Sequence, residues 1–295
     1  NAIDEKSYLT EDGAYKLKLS EEIISNVVVE HFPTFLQDYV LQLKSGINEA
    51  SNAVSSVSNL VTFLPDILGN SERKRFLVLL QNEGEIRSTG GWISSYAVVG
   101  LEGGQIRELF VDDIYNAEGT LKVQNKRFNP PNSLAQALET TEYSFSLVNW
   151  DPDLYNVMLE SESFISALGK GDDLDGIVTI DISFIQKLLE KWGGLEVPGE
   201  NELITSENIY SKVFEMHEEF TPGSTRKSTF LANLANEIVT RLLSSDFSEY
   251  QDISSVFVES LNEKHLQAVF KNTQATNFFD EKNWDGQLDS KYVSA

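Results

Sequence analysis

The chain has 295 residues, of which 41% are hydrophobic and 11% aromatic, a composition typical of a globular protein with a large core. Its 46 acidic and 23 basic residues leave a net charge of −23 without a long basic tract, which argues against a nucleic-acid partner, because phosphate binding needs a surface rich in lysine and arginine. The lack of cysteine excludes disulfides and thiolate nucleophiles, and three scattered histidines are too few to predict a histidine-rich metal site.

No stretch approaches the roughly 18 consecutive apolar residues that a membrane span requires. The sequence begins at Asn1 without an initiator methionine. Two interpretations follow: a leader or anchor has been removed upstream of residue 1, or the protein is soluble and this is a fragment.

A long helix is predicted between Pro33 and Pro65. Its apolar residues alternate spacings of four and three, and they are Leu36, Val40, Leu43, Ile47, Ala50, Val54, Val57 and Val61. Gly46 and the serine-rich stretch 51–58 weaken a free coiled coil, so packing onto the following domain is favoured over a stalk that rises from a membrane anchor. We predict an N-terminal segment over 1–70 and an α/β domain over 71–295, with 244–295 as a truncated C-terminal extension.

The domain is predicted to be organised around residues 76–93. The apolar run Phe76–Leu80 predicts a buried strand, and it leads into a polar turn with a Gly-Gly pair. Buried strands of α/β proteins present ligands at their carboxyl ends, so this junction is the first candidate for chemistry. An ordinary strand-turn-strand corner is the alternative.

Two further strands, over 92–101 and 105–111, are predicted to form an antiparallel hairpin with a Gly-Gly turn. In such a meander the third strand ends at the same end of the sheet as the first. Asp112 and Asp113 are therefore expected close to Asn82 and the polar turn.

Residues 117–150 are predicted to be a long loop, followed by a helix that starts at 151–153. A buried strand over 175–181 and the helix after it make the clearest strand-helix unit. A helix and then a strand over 264–270 are predicted near the end of the chain.

Arg226 and Lys227 are predicted to open another helix. Basic residues in a first turn oppose the helix dipole unless an anion lies between them. The pair is therefore a candidate phosphate site, with plain solvation as the alternative.

The motif over 76–93 resembles the signature of the bacterial domain of unknown function 4012 family. Other stretches that fit the same family are Asp175–Asp181, Trp192–Gly199, His265–Lys271 and Trp284–Gly286. The resemblance runs from about Thr34 to Leu288. It implies an extracytoplasmic protein of the cell envelope or cell surface, anchored in the membrane by a segment upstream of residue 1.

A more distant resemblance links the chain to the LytR-CpsA-Psr envelope proteins, which move glycopolymers from polyprenyl pyrophosphate onto peptidoglycan with arginines and a magnesium ion. It implies an α/β fold with a mixed central sheet and helices on both faces, preceded by the long N-terminal helix. Arg87-Ser88-Thr89 stand where that family has Arg-Ser-Asp, and Val111-Asp112-Asp113 where it has Pro-Arg-Asp. Thr89 thus replaces a carboxylate and Asp112 an arginine.

This resemblance implies a protein that binds or transfers a polyprenyl-linked or phosphorylated glycan, with a cell-wall polymer as partner and phosphoryl transfer as the reaction of an enzyme. The predicted catalytic residues are Arg87, Asp113 and Arg226. The predicted substrate-binding residues are Asn82, Glu85, Asp112, Tyr115 and Lys227. Asp112 and Asp113 are predicted to bind a magnesium ion, the one cofactor expected. The alternative is a non-catalytic scaffold or adhesion module of the cell surface, in which Arg87 pairs with Glu83 or Glu85.

Overall fold

The computed structural model describes residues 15, 16, 18–29, 37, 40–47, 63–245 and 247–288. Within the predicted N-terminal helix, residues 40–47 are helical, whereas Leu36 and the seam from Ala50 to Val61 lie outside the described residues. The helical turn 63–67 brings Phe63 against Phe278, with ring centroids 5.4 Å apart. The domain boundary at residue 70 stays a prediction.

The described part of the α/β domain contains one sheet, whose strands are β1 (Lys74–Asn82), β2 (Trp92–Glu102), β3 (Gln105–Asp113), β4 (Gly176–Asp181) and β5 (Leu266–Phe270). Their order in the sheet is β3-β2-β1-β4-β5. The β1–β4 pair is parallel and the other neighbours are antiparallel, so the sheet is mixed, as predicted. The central strand β1 is covered on both faces, which explains its continuous apolar sequence.

Helices cover both faces of the sheet, which confirms the predicted fold class. They are α1 (Ile114–Val123), α2 (Asn132–Leu138), the 3₁₀ helix Phe145–Trp150, α3 (Leu154–Ala167), α4 (Ile182–Trp192), α5 (Ile209–Glu218), α6 (Arg226–Ser244), α7 (Phe247–Glu263) and α8 (Thr273–Glu281). Leu77 and Leu79 of β1 belong to the core that contains α1 and α3. Phe76 and Leu80 face the opposite way, toward α8 and toward α4, α5 and α6.

The predicted loop over 117–150 is wrong, because these residues form most of α1, all of α2 and the 3₁₀ helix. Helix α1 buries only Ile114, Ala117 and Leu121 and carries Gly119 in its interior, so its apolar periodicity is weak. Helix α2 is only seven residues long. Short elements of this kind leave little signal in a sequence.

The predicted strand-helix unit is confirmed by β4 and α4. Asp181 ends the strand and caps the helix, since its Oδ1 accepts a hydrogen bond from Phe184 N at 3.1 Å. Gly193, with φ of 71°, ends the helix in the left-handed conformation. Because β4 runs parallel to β1, Asp181 lies at the same end of the sheet as the polar turn after β1.

Candidate functional site

The loop 83–91 joins β1 to β2 and is held tightly against the end of β1. Gly91 passes so close to this strand that a Cβ atom there would lie 2.3 Å from Asn82 O. No side chain fits in that space, which accounts for the second glycine of the pair. The loop therefore has a fixed path.

A buried polar network fastens the same loop from the inside. Thr89 is 4% exposed, and its Oγ1 accepts hydrogen bonds from Gln81 Nε2 at 2.6 Å and Asn149 Nδ2 at 3.2 Å. Its backbone oxygen accepts from Gln267 Nε2 at 3.0 Å. Thr89, which stands where the more distant relatives have an aspartate, therefore points into the protein and supports the loop.

A cleft opens beside this loop, between the sheet and helices α4, α5 and α6. Its outer part contains about 430 Å³ of empty space, including open solvent, and is lined by Asn82, Trp92, Tyr210, Phe214, His217 and Lys227. Its inner part, of about 400 Å³, is lined by Leu80, Ile180, Asp181, Ile185, Leu231 and Leu234. The two parts share Gln81, Ser94, Ile182 and Val213 and so adjoin. Apolar walls with a few polar groups are typical of ligand sites.

The aromatic rim of the outer part consists of Trp92, Tyr210, Phe214 and His217, and Tyr115 packs against it. Tyr115 stacks on His217, with ring centroids 5.8 Å apart, and Trp92 meets the same imidazole edge-on at 5.5 Å. Tyr210, Phe214 and His217 all lie on α5, and none of the three was predicted from the sequence. Their spacing of four and then three residues, typical of one helix face, was the signal that pointed to them.

Lys227 and Asp113 are brought together, but they bind each other. The Lys227 Nζ lies 2.9 Å from Asp113 Oδ2 and 3.0 Å from Ser94 O, and both side chains are buried. Burial lowers the pKa of Lys227, while the Asp113 carboxylate acts in the opposite direction. The other carboxylate oxygen caps α1 by accepting from Tyr115 N at 2.9 Å.

The two aspartates do not fit the predicted magnesium ion. Both oxygens of Asp113 are already bonded, one of them to an ammonium group that repels a cation. Asp112 Oδ1 accepts from Asp113 N at 2.8 Å and from Asn116 Nδ2 at 3.0 Å. The sequence placed the pair correctly at the end of β3 but could not show that Lys227 occupies the space beside it.

Neither of the two predicted arginines is among the residues that line the outer or the inner part of the cleft. Arg226 begins α6 as predicted, and it pairs with Glu219 and Glu215 of the α5 region. The sequence predicted an anion beside the basic first turn of this helix. The two carboxylates take that place, so no ligand is needed to supply the negative charge. Arg87 donates through Nη1 to Ile86 O at 2.8 Å.

The scaffold interpretation predicted an ion pair between Arg87 and Glu83 or Glu85. This pair is not formed, because both glutamates have other partners. Glu85 Oε1 accepts from Asn82 Nδ2 at 3.3 Å, and Glu83 Oε1 accepts from Ser183 Oγ at 2.6 Å. Within the part of the chain that is described, Arg87 forms no ion pair with a carboxylate. The catalytic and substrate-binding roles given to these residues stay predictions.

Three solved structures are similar to this chain at a low level. Lin1025 from Listeria innocua has a TM-score of 0.43 and 10% identity, with 74% of this chain and 81% of that chain covered. For gbs0355 from Streptococcus agalactiae the TM-score is 0.46 and the identity 10%, with 72% and 74% covered. For B. subtilis TagV the values are 0.42 and 9%, with 74% and 82% covered. Every TM-score is below 0.5, so these similarities carry no functional argument.

No curated protein matches the sequence. In the described ranges, none of the helices combines the length and the apolar character that crossing a membrane requires. Residues 71–216 match the model of a family described as a protein of unknown function, DUF4012. The match includes β1, the loop after it and the aspartates that end β3 and β4. The resemblance to the DUF4012 family that the first motif predicted is therefore confirmed over this segment.

Proposed function

We propose that this protein binds a polyprenyl-linked, phosphorylated glycan of the cell envelope, with the apolar chain in the cleft between the sheet and α4–α6. The observation that carries the proposal is the cleft itself, whose inner walls are mainly leucine and isoleucine and whose mouth is polar and aromatic. A ligand with an apolar tail and a polar head matches this gradient. The extracytoplasmic location and the glycan come from the family resemblance.

Arg87 is the residue we expect to meet the phosphate. Of the three basic residues predicted for the site, Lys227 is neutralised by Asp113 and Arg226 by two glutamates, whereas Arg87 has no carboxylate partner among the described residues. A guanidinium can donate two parallel hydrogen bonds to phosphate oxygens. Arg87 belongs to the loop that follows Asn82, which lines the outer part of the cleft.

Binding is favoured over transfer by the state of Asp113. A carboxylate that acts as a base must reach the substrate, but Asp113 is 1% exposed and holds an ammonium group. Asp113 is therefore not available as the base of the predicted transfer reaction. We therefore place a carrier or receptor role ahead of an enzyme role.

The tail of the ligand is tested with geranylgeranyl phosphate, whose binding is followed through tryptophan fluorescence because Trp92 lines the cleft. Val213 lines both parts, so Val213→Phe should fill the passage and weaken binding at least about tenfold. The matched control is Val258→Phe on α7, where the side chain is 45% exposed and binding should not change. Absence of binding by the wild type, or equal binding by Val213→Phe, would overturn the proposal.

The head group is tested by comparing geranylgeranyl phosphate with the corresponding alcohol. The wild type should bind the phosphate more tightly than the alcohol. In Arg87→Ala the ratio of the two affinities should fall about tenfold, because a charge-assisted pair is removed. Arg107→Ala, on an exposed position of β3, is the control for a general loss of positive charge. Equal preference in wild type and Arg87→Ala would remove Arg87 from the site while leaving the tail assignment intact.

A further inference from the structure

We infer that Glu83, Asp181 and His265 form a binding site for a divalent transition-metal cation. One ligand atom from each residue lies within 4.8 Å of the others. Glu83 follows β1, Asp181 ends β4 and His265 precedes β5, so three neighbouring strands contribute. None of these residues belongs to the predicted magnesium pair, and the inference does not depend on the proposed ligand of the cleft.

Each carboxylate bonds to the protein through one oxygen and faces His265 Nδ1 with the other. His265 Nδ1 lies 2.7 Å from Asp181 Oδ2 and 3.5 Å from Glu83 Oε2. Asp181 Oδ1 caps α4, and Glu83 Oε1 accepts from Ser183 Oγ at 2.6 Å. Glu83 Oε2 is inaccessible to solvent and has no hydrogen-bond partner. An orphaned buried carboxylate oxygen beside an imidazole nitrogen is what a missing cation would leave.

The two carboxylates of the cluster also lack a lysine or arginine partner in the described structure. His265 is the partner that Glu83 and Asp181 share. A bound cation would stabilise both carboxylates in their charged form.

The donor set indicates the kind of metal. One imidazole nitrogen with two carboxylate oxygens suits Zn²⁺ or Mn²⁺ better than Mg²⁺ or Ca²⁺, which prefer oxygen ligands alone. Three protein ligands leave a coordination position open, as in zinc sites that bind a further ligand. Glu263 Oε2 lies 3.7 Å from His265 Nε2, on the far side of the ring, where a carboxylate helps to orient a metal-bound histidine.

The test is titration of the chelator-treated protein with Zn²⁺ by isothermal calorimetry, with Mg²⁺ as the comparison ion. The wild type should bind about one equivalent of Zn²⁺ and bind Mg²⁺ much more weakly. Asp181→Asn retains the α4 cap, and His265→Gln and Glu83→Gln remove the other donors; each should weaken binding at least about tenfold. Glu259→Gln, which loses an exposed carboxylate paired with Lys187, is the control and should bind as the wild type does.

Binding of Co²⁺ provides a second measurement, because a cluster with only a structural role would give no cobalt absorption. Co²⁺ bound by one imidazole and two carboxylates should give a visible absorption that His265→Gln loses and Glu259→Gln keeps. If the wild type binds no Zn²⁺, or if all three donor variants bind it equally well, the cluster is only a hydrogen-bonded fastening of β5 to the loop after β1. Val213→Phe should bind Zn²⁺ normally, so failure of this inference and failure of the proposed function are distinguishable.

Discussion

Lys227 and Asp113 form an ion pair inside the protein, with 2.9 Å between Nζ and Oδ2 and side-chain exposures of 4% and 1%. The pair joins α6 to the end of β3, and Lys227 also reaches Ser94 of β2. Removing one partner of such a pair leaves the other charge buried and uncompensated. Lys227→Met should therefore lower the free energy of unfolding in urea by about 3 to 5 kcal/mol.

The double variant Asp113→Asn with Lys227→Met should recover most of this loss, because asparagine is neutral and still caps α1. Arg226→Met is the matched control one residue away. Its side chain is 54% exposed, so losing its pairs with Glu215 and Glu219 should cost less than about 1 kcal/mol. Equal losses in Lys227→Met and Arg226→Met would contradict the assignment of a buried pair.

Gly91→Ala should destabilise the protein by about 3 kcal/mol, because the new Cβ would lie 2.3 Å from Asn82 O and 2.7 Å from Glu83 N. Both contacts are with backbone, which cannot rotate away. Gly119→Ala, in the interior of α1 with open space around it, should instead gain about 0.5 to 1 kcal/mol. Thermal unfolding of the two variants beside the wild type checks the opposite signs.

Thr89→Val should cost about 1 to 3 kcal/mol, since it leaves the amide groups of Gln81 and Asn149 without their shared acceptor. Thr89→Ser keeps the hydroxyl and should retain most of the stability. Amide hydrogen exchange over 83–91 gives a local measurement, and it should accelerate in the valine variant only. Unchanged exchange there would show that the loop is held by its backbone alone.

The acid side of the stability curve should depend on Asp285. Burial raises its pKa above the ordinary 3.8, with Asp280 adding to the effect and Lys264 opposing it. The folded state then holds a proton that the unfolded state has already lost, so this residue's contribution to stability falls as the pH rises above 3.8. Asp285→Asn keeps the acceptor for Gln287 N and removes the titration.

Urea unfolding of wild type and Asp285→Asn between pH 3.5 and pH 7, an interval set around the ordinary aspartate pKa of roughly 3.9, measures this effect. The difference in free energy of unfolding should shift in favour of the variant as the pH rises. A constant difference would mean that Asp285 titrates in the folded protein as it does in the unfolded chain.

The sequence predicted the parts of the fold that local patterns determine. The apolar run of β1, the Gly103–Gly104 turn and the strand-helix unit around Asp181 each have a short-range signal, and each is confirmed. The 3₁₀ helix and α5 were not predicted. The aromatic rim of the cleft was therefore not predicted either, because Tyr210, Phe214 and His217 lie on α5. Contacts between residues that are far apart along the chain could not be predicted either, because they leave no local pattern. Lys227 is 114 residues from Asp113, and His265 is 84 residues from Asp181.

The position of β1 in the sheet has a consequence for synthesis of the protein. One edge of β1 is covered by β2, which follows after the nine-residue loop 83–91, whereas the other edge pairs with β4, in the register Phe76 to Gly176. While the ribosome makes the intervening residues, a nascent chain carries a strand with one paired edge and one open edge. Open apolar strands invite pairing with other chains. Growing chains that have not yet reached Gly176 are therefore expected to be the most prone to association with other chains.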